Sequence, residues 1–177
     1  MIRLAAFLAG LGLFVALGGT ALAQDPDLSI SANQAFLANN AHQPGVVIRP
    51  SGLQYKIIKS GFGKRPGPRD TVSCYYKGQL INGKVFDATE PGFPAQFVVN
   101  QLIPGWTEAL ELMREGDRWQ LVVPSHLAYG ERGAGDGNIP PNQTLVFDLE
   151  LLSVTPAAPE QKDDKDQSPG GSGAQDE

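Results

Sequence analysis

Across residues 46–155 apolar side chains recur mostly at every second position, the spacing that sets one face of a strand against a core and the other in water. Leu53-Gln-Tyr-Lys-Ile-Ile alternates until Gly61 and Gly63 interrupt it, and Thr71-Val-Ser-Cys-Tyr-Tyr reads as the next strand. Asn82-Gly83 is a strong hairpin signal before Lys84-Val85-Phe86. Gln96-Phe-Val-Val is short. The runs 117–123 and 144–154 are longer, with Trp119, Leu121 and Val123 sharing one face, and Leu145, Phe147, Leu149 and Leu151 sharing another. The period changes once: Trp106, Ala109, Leu110 and Met113 follow i, i+3, i+4, i+7, which predicts a helix opening at Pro104. Glu108 and Glu111 would lie toward its positive end, Arg114 at its negative end, and Gly116 would cap it. One helix among about five strands predicts an α+β fold whose sheet wraps around that helix, since neither has another partner large enough to cover its apolar face.

The pattern is different at both ends. Residues 1–23 read as a signal peptide: Arg3 is followed by an apolar run from Leu4 to Leu17, and Ala21-Leu22-Ala23 offers small residues at a cleavage site. The run is short beside the ~20 residues of a membrane span, and no later stretch is apolar enough to cross a bilayer. The chain is therefore expected in a bacterial periplasm, with full secretion the alternative, and off the membrane once the signal is removed. Residues 24–45 carry a short helical pattern from Ser29 to Leu37, expected to end before Asn39-Asn40. Residues 156–177 hold Asp, Glu, Pro, Gly and Ser but no aromatic or large aliphatic residue, the composition of a disordered acidic tail.

Composition narrows the function. Gly (21) and Pro (14) are abundant in a chain of 177 residues, which favours turns over long helices. A net charge of −5 argues against a nucleic-acid partner. A single cysteine excludes an internal disulfide framework and a multi-thiolate metal site, and two histidines leave little material for zinc. Cys74 lies in a strand pattern and is expected to be buried.

The stretch 124–143 is long for a loop, and loops of that length without secondary structure are usually functional or disordered. Ser125-His126 lacks the turn of a nucleophile elbow, and adjacent side chains do not face each other. Gly130-Glu-Arg-Gly-Ala-Gly-Asp-Gly matches no phosphate-binding pattern, and Asp136 stands alone where a calcium loop needs several oxygen ligands. What remains is apolar: Tyr76, Phe86, Trp106, Tyr129, Ile139 and Phe147, with Asp87 after Phe86. Singly, each reads as core. Together they suit an aromatic-lined pocket beside the helix N-terminus.

Gly83-Lys-Val-Phe-Asp87, Ile103-Pro-Gly-Trp106-Thr-Glu-Ala-Leu, Leu127-Ala-Tyr-Gly130 and Ile139-Pro-Pro-Asn-Gln-Thr-Leu-Val-Phe147 occur in the order and spacing of FKBP-type peptidyl-prolyl cis-trans isomerases, which residues 46–154 resemble. The lead-in Ser51-Gly-Leu-Gln-Tyr-Lys-Ile-Ile-Lys-Ser-Gly resembles the bacterial, macrophage-infectivity-potentiator branch. The resemblance implies a five- or six-stranded antiparallel half-barrel sheet around one short helix, in a domain placed here at 46–155. It implies a pocket with Trp106 as floor, Tyr76, Phe86 and Phe147 as walls, Leu102 and Ile103 on one side, Tyr129 and Ile139 from the long loop, and Asp87 at the rim.

It further implies rotation of X–Pro bonds in unfolded or Pro-containing polypeptides without any cofactor or metal. The Ile103 N–H and Tyr129 hydroxyl would hold flanking carbonyls. Asp87 would either orient Tyr76 or polarise the surroundings of the reacting carbonyl. Macrolide inhibitors are implied as competitors. Residues 24–45 are too few for the long dimerising helix of that branch, so a monomer is expected. Ala95 replaces a wall Phe of many eukaryotic members, which would leave that side wider or closed by Phe93, and Asn138 replaces an apolar neighbour of Ile139. The rival readings are a non-catalytic periplasmic chaperone that holds Pro-containing segments and, more weakly, an enzyme using Ser125 or Cys74.

Overall fold

The computed structural model describes residues 25–158. The expected signal peptide at 1–23 and all but the first three residues of the expected tail lie outside the described residues. Nine elements of regular structure follow in order: α1 (Ile30–Ala41), β1 (Val46–Ile48), β2 (Gln54–Lys59), β3 (Thr71–Leu80), β4 (Val85–Ala88), β5 (Ala95–Val98), α2 (Pro104–Leu112), β6 (Arg118–Val123) and β7 (Leu145–Thr155). Single 3-10 turns lie at Pro26–Leu28, Val99–Gln101, Ser125–Leu127 and Gly130–Arg132.

All strand pairs are antiparallel, in the order β1-β2-β6-β7-β3-β4, with β5 also paired to β3. The α+β class holds, and the sheet has seven strands rather than five or six. One comes from Val46–Ile48, which extends the edge beside β2, and β3 carries two partners on one side. Thr71–Cys74 pair with β5, while Lys77–Gln79 pair with β4. The β3–β4 hairpin closes as the Asn-Gly pair dictates: Gly83 takes φ +85°, and its N–H donates to Leu80 O at 2.9 Å.

The inner face of β3 carries Val72, Cys74, Gly78 and Leu80, all buried, with Tyr76 half-buried among them. Leu145, Phe147, Leu149 and Leu151 of β7 and Trp119, Leu121 and Val123 of β6 complete that face. Against it lies α2 through Trp106, Ala109 and Leu110, with Met113 at its C-cap. Gly105 permits the approach: a methyl there would stand 2.5 Å from Val123 Cγ1. Each large aliphatic side chain buried this way contributes about 1.5–3 kcal/mol.

The helix ends at Leu112, so Gly116 does not cap it. Beyond Met113 the chain is drawn onto its neighbours instead. Arg114 N–H donates to Asp117 Oδ2 at 2.6 Å, Gly116 N–H donates to Leu151 O at 2.7 Å, and Glu115 accepts from Lys64 and Val154 N–H. Glu108 accepts from Arg49 Nε at 3.0 Å and Ser51 Oγ at 2.6 Å.

Helix α1 runs through Asn39-Asn40 to Ala41. The asparagines do not stop it, because Asn40 spends its side chain on Gln54 Oε1, at 2.7 Å, instead of on local backbone. Its anchor is polar too. Ile30 is 61% exposed, whereas Asn33 is buried.

Candidate functional site

Pro104 opens α2 and also restricts its predecessor: a residue before proline is held extended, and Ile103 has φ −58°, ψ 146°. Its carbonyl accepts from the N–H of Trp106 and Thr107, which winds the first turn and sets the indole under the sheet. The Ile103 N–H has no acceptor among the described residues, so it is a free donor at the mouth of the helix.

Around Trp106 stand three upright rings. Tyr76 is 5.2 Å away at 85°, Phe97 5.7 Å at 87°, and Phe147 5.2 Å at 83°. Phe86 meets Phe147 edge to face at 5.7 Å. Such pairs add about 0.5–1.5 kcal/mol each beyond their burial. The space they enclose is about 120 Å³, and Leu102, Ile103, Asp87 and Tyr129 complete its lining. The indole Nε1 is buried without a partner among the described residues. An orphaned donor costs about 1–3 kcal/mol.

At the rim, Tyr76 Oη donates to Asp87 Oδ2 at 2.6 Å. Burial first, and then the Asp87 carboxylate, hold the Tyr76 hydroxyl well above the usual tyrosine range. Burial also raises Tyr129, with the negative charge of Asp87 adding to it. Both hydroxyls therefore stay protonated at neutral pH. Tyr129 is 41% exposed, and its hydroxyl has no partner among the described residues, which leaves it able to bond an incoming carbonyl.

The expected residues Tyr76, Phe86, Asp87, Leu102, Ile103, Trp106, Tyr129 and Phe147 thus meet at one cavity. Ile139 does not reach its wall. It is 6% exposed in the core, with its backbone bridged to Ala134. Phe97, absent from the expected set, closes the side that Ala95 leaves open. It lies two residues along β5 on the same inward face, whereas Phe93 is 74% exposed. The alternation Ala95-Gln-Phe97 carried that signal.

Other chemistry finds no support in the geometry. His126 Nε2 lies 2.9 Å from Ser51 O, and burial pushes the Cys74 thiol up to about 12. Among the described residues no three His, Cys, Asp or Glu side chains gather as a metal site. A larger depression of about 560 Å³ lies on the outer face of the sheet between Lys77, Arg118, Asp148 and Glu150. There Arg118 already binds Asp148 through two bonds of 2.8 and 2.6 Å, so the surface is wet and charged rather than dry.

Comparison with known proteins points the same way. The model of the family described as FKBP-type peptidyl-prolyl cis-trans isomerase matches residues 63–152, and that of the domain amino terminal to such isomerases matches residues 20–57. The chain is 57% identical over 125 residues to the outer membrane protein MIP of Legionella longbeachae, covering 70% of this chain and 53% of the relative. It is 51% identical over 120 residues to the FKBP-type 22 kDa peptidyl-prolyl cis-trans isomerase of Escherichia coli, covering 67% and 58%. The chain spans about half the length of these curated relatives. Among solved structures, a peptidyl-prolyl cis-trans isomerase from Pseudomonas syringae superposes with a TM-score of 0.67 at 38% identity, over 72% of this chain and 93% of that one. FkpA from Escherichia coli gives 0.69 at 43%, over 72% and 60%.

Proposed function

The chain belongs to the family of FKBP-type peptidyl-prolyl cis-trans isomerases, in the branch of the Mip and FkpA proteins, and from that premise we propose that it accelerates rotation about X–Pro bonds in polypeptides folding after export. The observation that carries the reading is the cup itself: an indole floor under three perpendicular rings, with two free donors at its lip. A volume of about 120 Å³ suits one prolyl ring. It falls well below the ~300–1,000 Å³ of pockets that enclose a drug-sized ligand, so a macrolide competitor would fill the cup with one ring and lie mostly on the rim.

Rotation is slow because it breaks amide resonance, a barrier of ~18–20 kcal/mol. The twisted amide is less polar than the planar one, so water favours the ground state and a dry cup favours the twisted form. The Ile103 N–H and the Tyr129 hydroxyl hold the carbonyls flanking the bond. Asp87 serves by fixing Tyr76 as a wall, a role its 2.6 Å bond supports. A thousandfold acceleration needs only ~4 kcal/mol of differential stabilisation.

Residues 1–23 direct export to the periplasm, 24–45 lead into the isomerase unit at 46–155, and 156–177 form an acidic tail. The side chains that line the cup all come from one chain, so a monomer would hold a complete site. The test is a proline-limited refolding assay on Tyr129→Phe, Asp87→Ala and Trp106→Ala, with fold checked by circular dichroism. Losses of about tenfold or more in kcat/KM in the folded variants are expected. Undiminished rates in all three would remove the site, and suppressed aggregation without faster refolding in the unaltered chain would establish a holding chaperone instead.

A further inference from the structure

Asn33 lies on α1, outside the cup, yet it is 4% exposed and every polar atom of its side chain is engaged. Its Nδ2 donates to Leu28 O at 3.2 Å, Ser29 O at 3.0 Å and Gln143 Oε1 at 3.1 Å, while its Oδ1 accepts from Thr144 N–H at 2.7 Å. Gln143, also 4% exposed, donates from Nε2 to Leu28 O at 3.0 Å and Pro141 O at 2.9 Å. One residue earlier, Asn142 sits at φ +61° and donates its N–H to Gly130 O at 2.8 Å. Gly130 follows Tyr129. A continuous path of bonds therefore runs from α1, across the base of the long loop, to Gly130, the residue next to the rim tyrosine.

The same N-terminal segment holds the opposite lip. Asp25 Oδ2 accepts from Asn82 Nδ2 at 3.1 Å at the tip of the hairpin whose second strand bears Phe86 and Asp87. A buried amide pair is costly unless fully bonded, and this one is satisfied only in the observed arrangement of α1 and loop. From this we infer that Asn33 is a positioning residue: through Gln143 and Asn142 it sets Tyr129 at the rim, so the segment 25–41, besides leading into the isomerase unit, shapes the substrate site from outside it. The inference rests on the reading of Tyr129 as a substrate contact.

The test compares Asn33→Ala, Tyr129→Phe and the double variant in the full chain, with Gln143→Met as a milder second lesion that leaves Asn33 its Leu28 and Ser29 acceptors. Folding is verified by circular dichroism and urea unfolding. Asn33→Ala and Gln143→Met should each lower kcat/KM about threefold to tenfold, mainly through KM, and should shift the amide resonances of Tyr129 and Gly130. In the Tyr129→Phe background Asn33→Ala should cost nothing further, because both act through one hydroxyl. Additive losses, or unmoved resonances at Tyr129 and Gly130 in a folded variant, would overturn the proposal. If Tyr129→Phe alone keeps full activity, the reading of Tyr129 fails on its own account, and unmoved resonances in Asn33→Ala would then separately refute the positioning path.

Discussion

Gly78 faces inward where Phe86 and Phe147 meet at right angles, and a methyl there would stand 2.6 Å from Phe86 Cζ and 2.8 Å from Phe147 Cε1. Two walls of the cup thus owe their positions to one missing carbon. Gly78→Ala should displace both rings and lower kcat/KM by about tenfold, while costing about 1–3 kcal/mol of stability for the strain of overpacking, read by urea unfolding beside the isomerase assay. Cys74, four residues earlier on the same strand face, is 0% exposed, and its thiol is raised from 9.0 to about 12 by burial. The folded chain therefore resists forming the thiolate. The stability this contributes is whole below pH 9 and is lost as pH climbs toward about 12. Native protein at pH 8 should leave a thiol reagent unreacted until denaturant is added, and Cys74→Ala should flatten the alkaline fall in stability. At this scale the rings of the site could be read in sequence wherever a motif named them. Phe97 was not legible because Phe93 and Phe97 stand equally far from Ala95 with the same parity, and only the fold shows that the chain before β5 turns Phe93 out to water. Gly78 was hidden because a glycine reports only what touches it in space. Ile139 was misplaced because a large apolar residue in a loop can equally close a pocket or plug the core beneath it.

Among the elements, β3 and α2 follow from periodicity alone, and their mutual burial follows from each lacking another partner. The ends of elements were harder to read. Helix α2 stops short of Gly116 because Asp117 captures the chain, with Oδ1 accepting from Gly61 N–H and Oδ2 from Arg114 N–H. The bond to Gly61 joins residues 56 apart in sequence, which no local spacing announces. Asp117→Ala should leave two part-buried backbone donors without their acceptor and cost about 1–3 kcal/mol in urea unfolding, with kcat/KM held within about twofold because the cup lies at the other end of the helix. Helix α1 teaches the converse. Its helical pattern is borne by few large apolar residues, of which Ile30 points to water, and the side-chain hydrogen bonds that dock it are between amides, Asn33 to Gln143 and Asn40 to Gln54. Polar pairing of that kind follows no hydrophobic period.

Over the whole molecule, the charge of −5 belongs to the ends, since residues 46–155 balance 11 basic against 11 acidic side chains. Apart from Asp87 at the rim, the cup is lined by aromatic and aliphatic side chains, which suits the proposed action on varied sequences around a proline. The sheet meets this need through the divided edge of β3. Its partners β4 and β5 flank Tyr75 and Tyr76 without bonding across them as strands, and between those partners the chain leaves the sheet at residues 89–94. Two residues tie that seam: Thr89 N–H donates to Tyr76 O at 3.0 Å, and Gly92 N–H donates to the Tyr75 hydroxyl at 3.1 Å. Because no ladder crosses the gap, the turn around Pro91 and Gly92 can be lengthened or exchanged without re-registering a single strand. Under the proposed function, that turn is the place where the chain could carry added contacts to a long polypeptide without disturbing the rings of the cup.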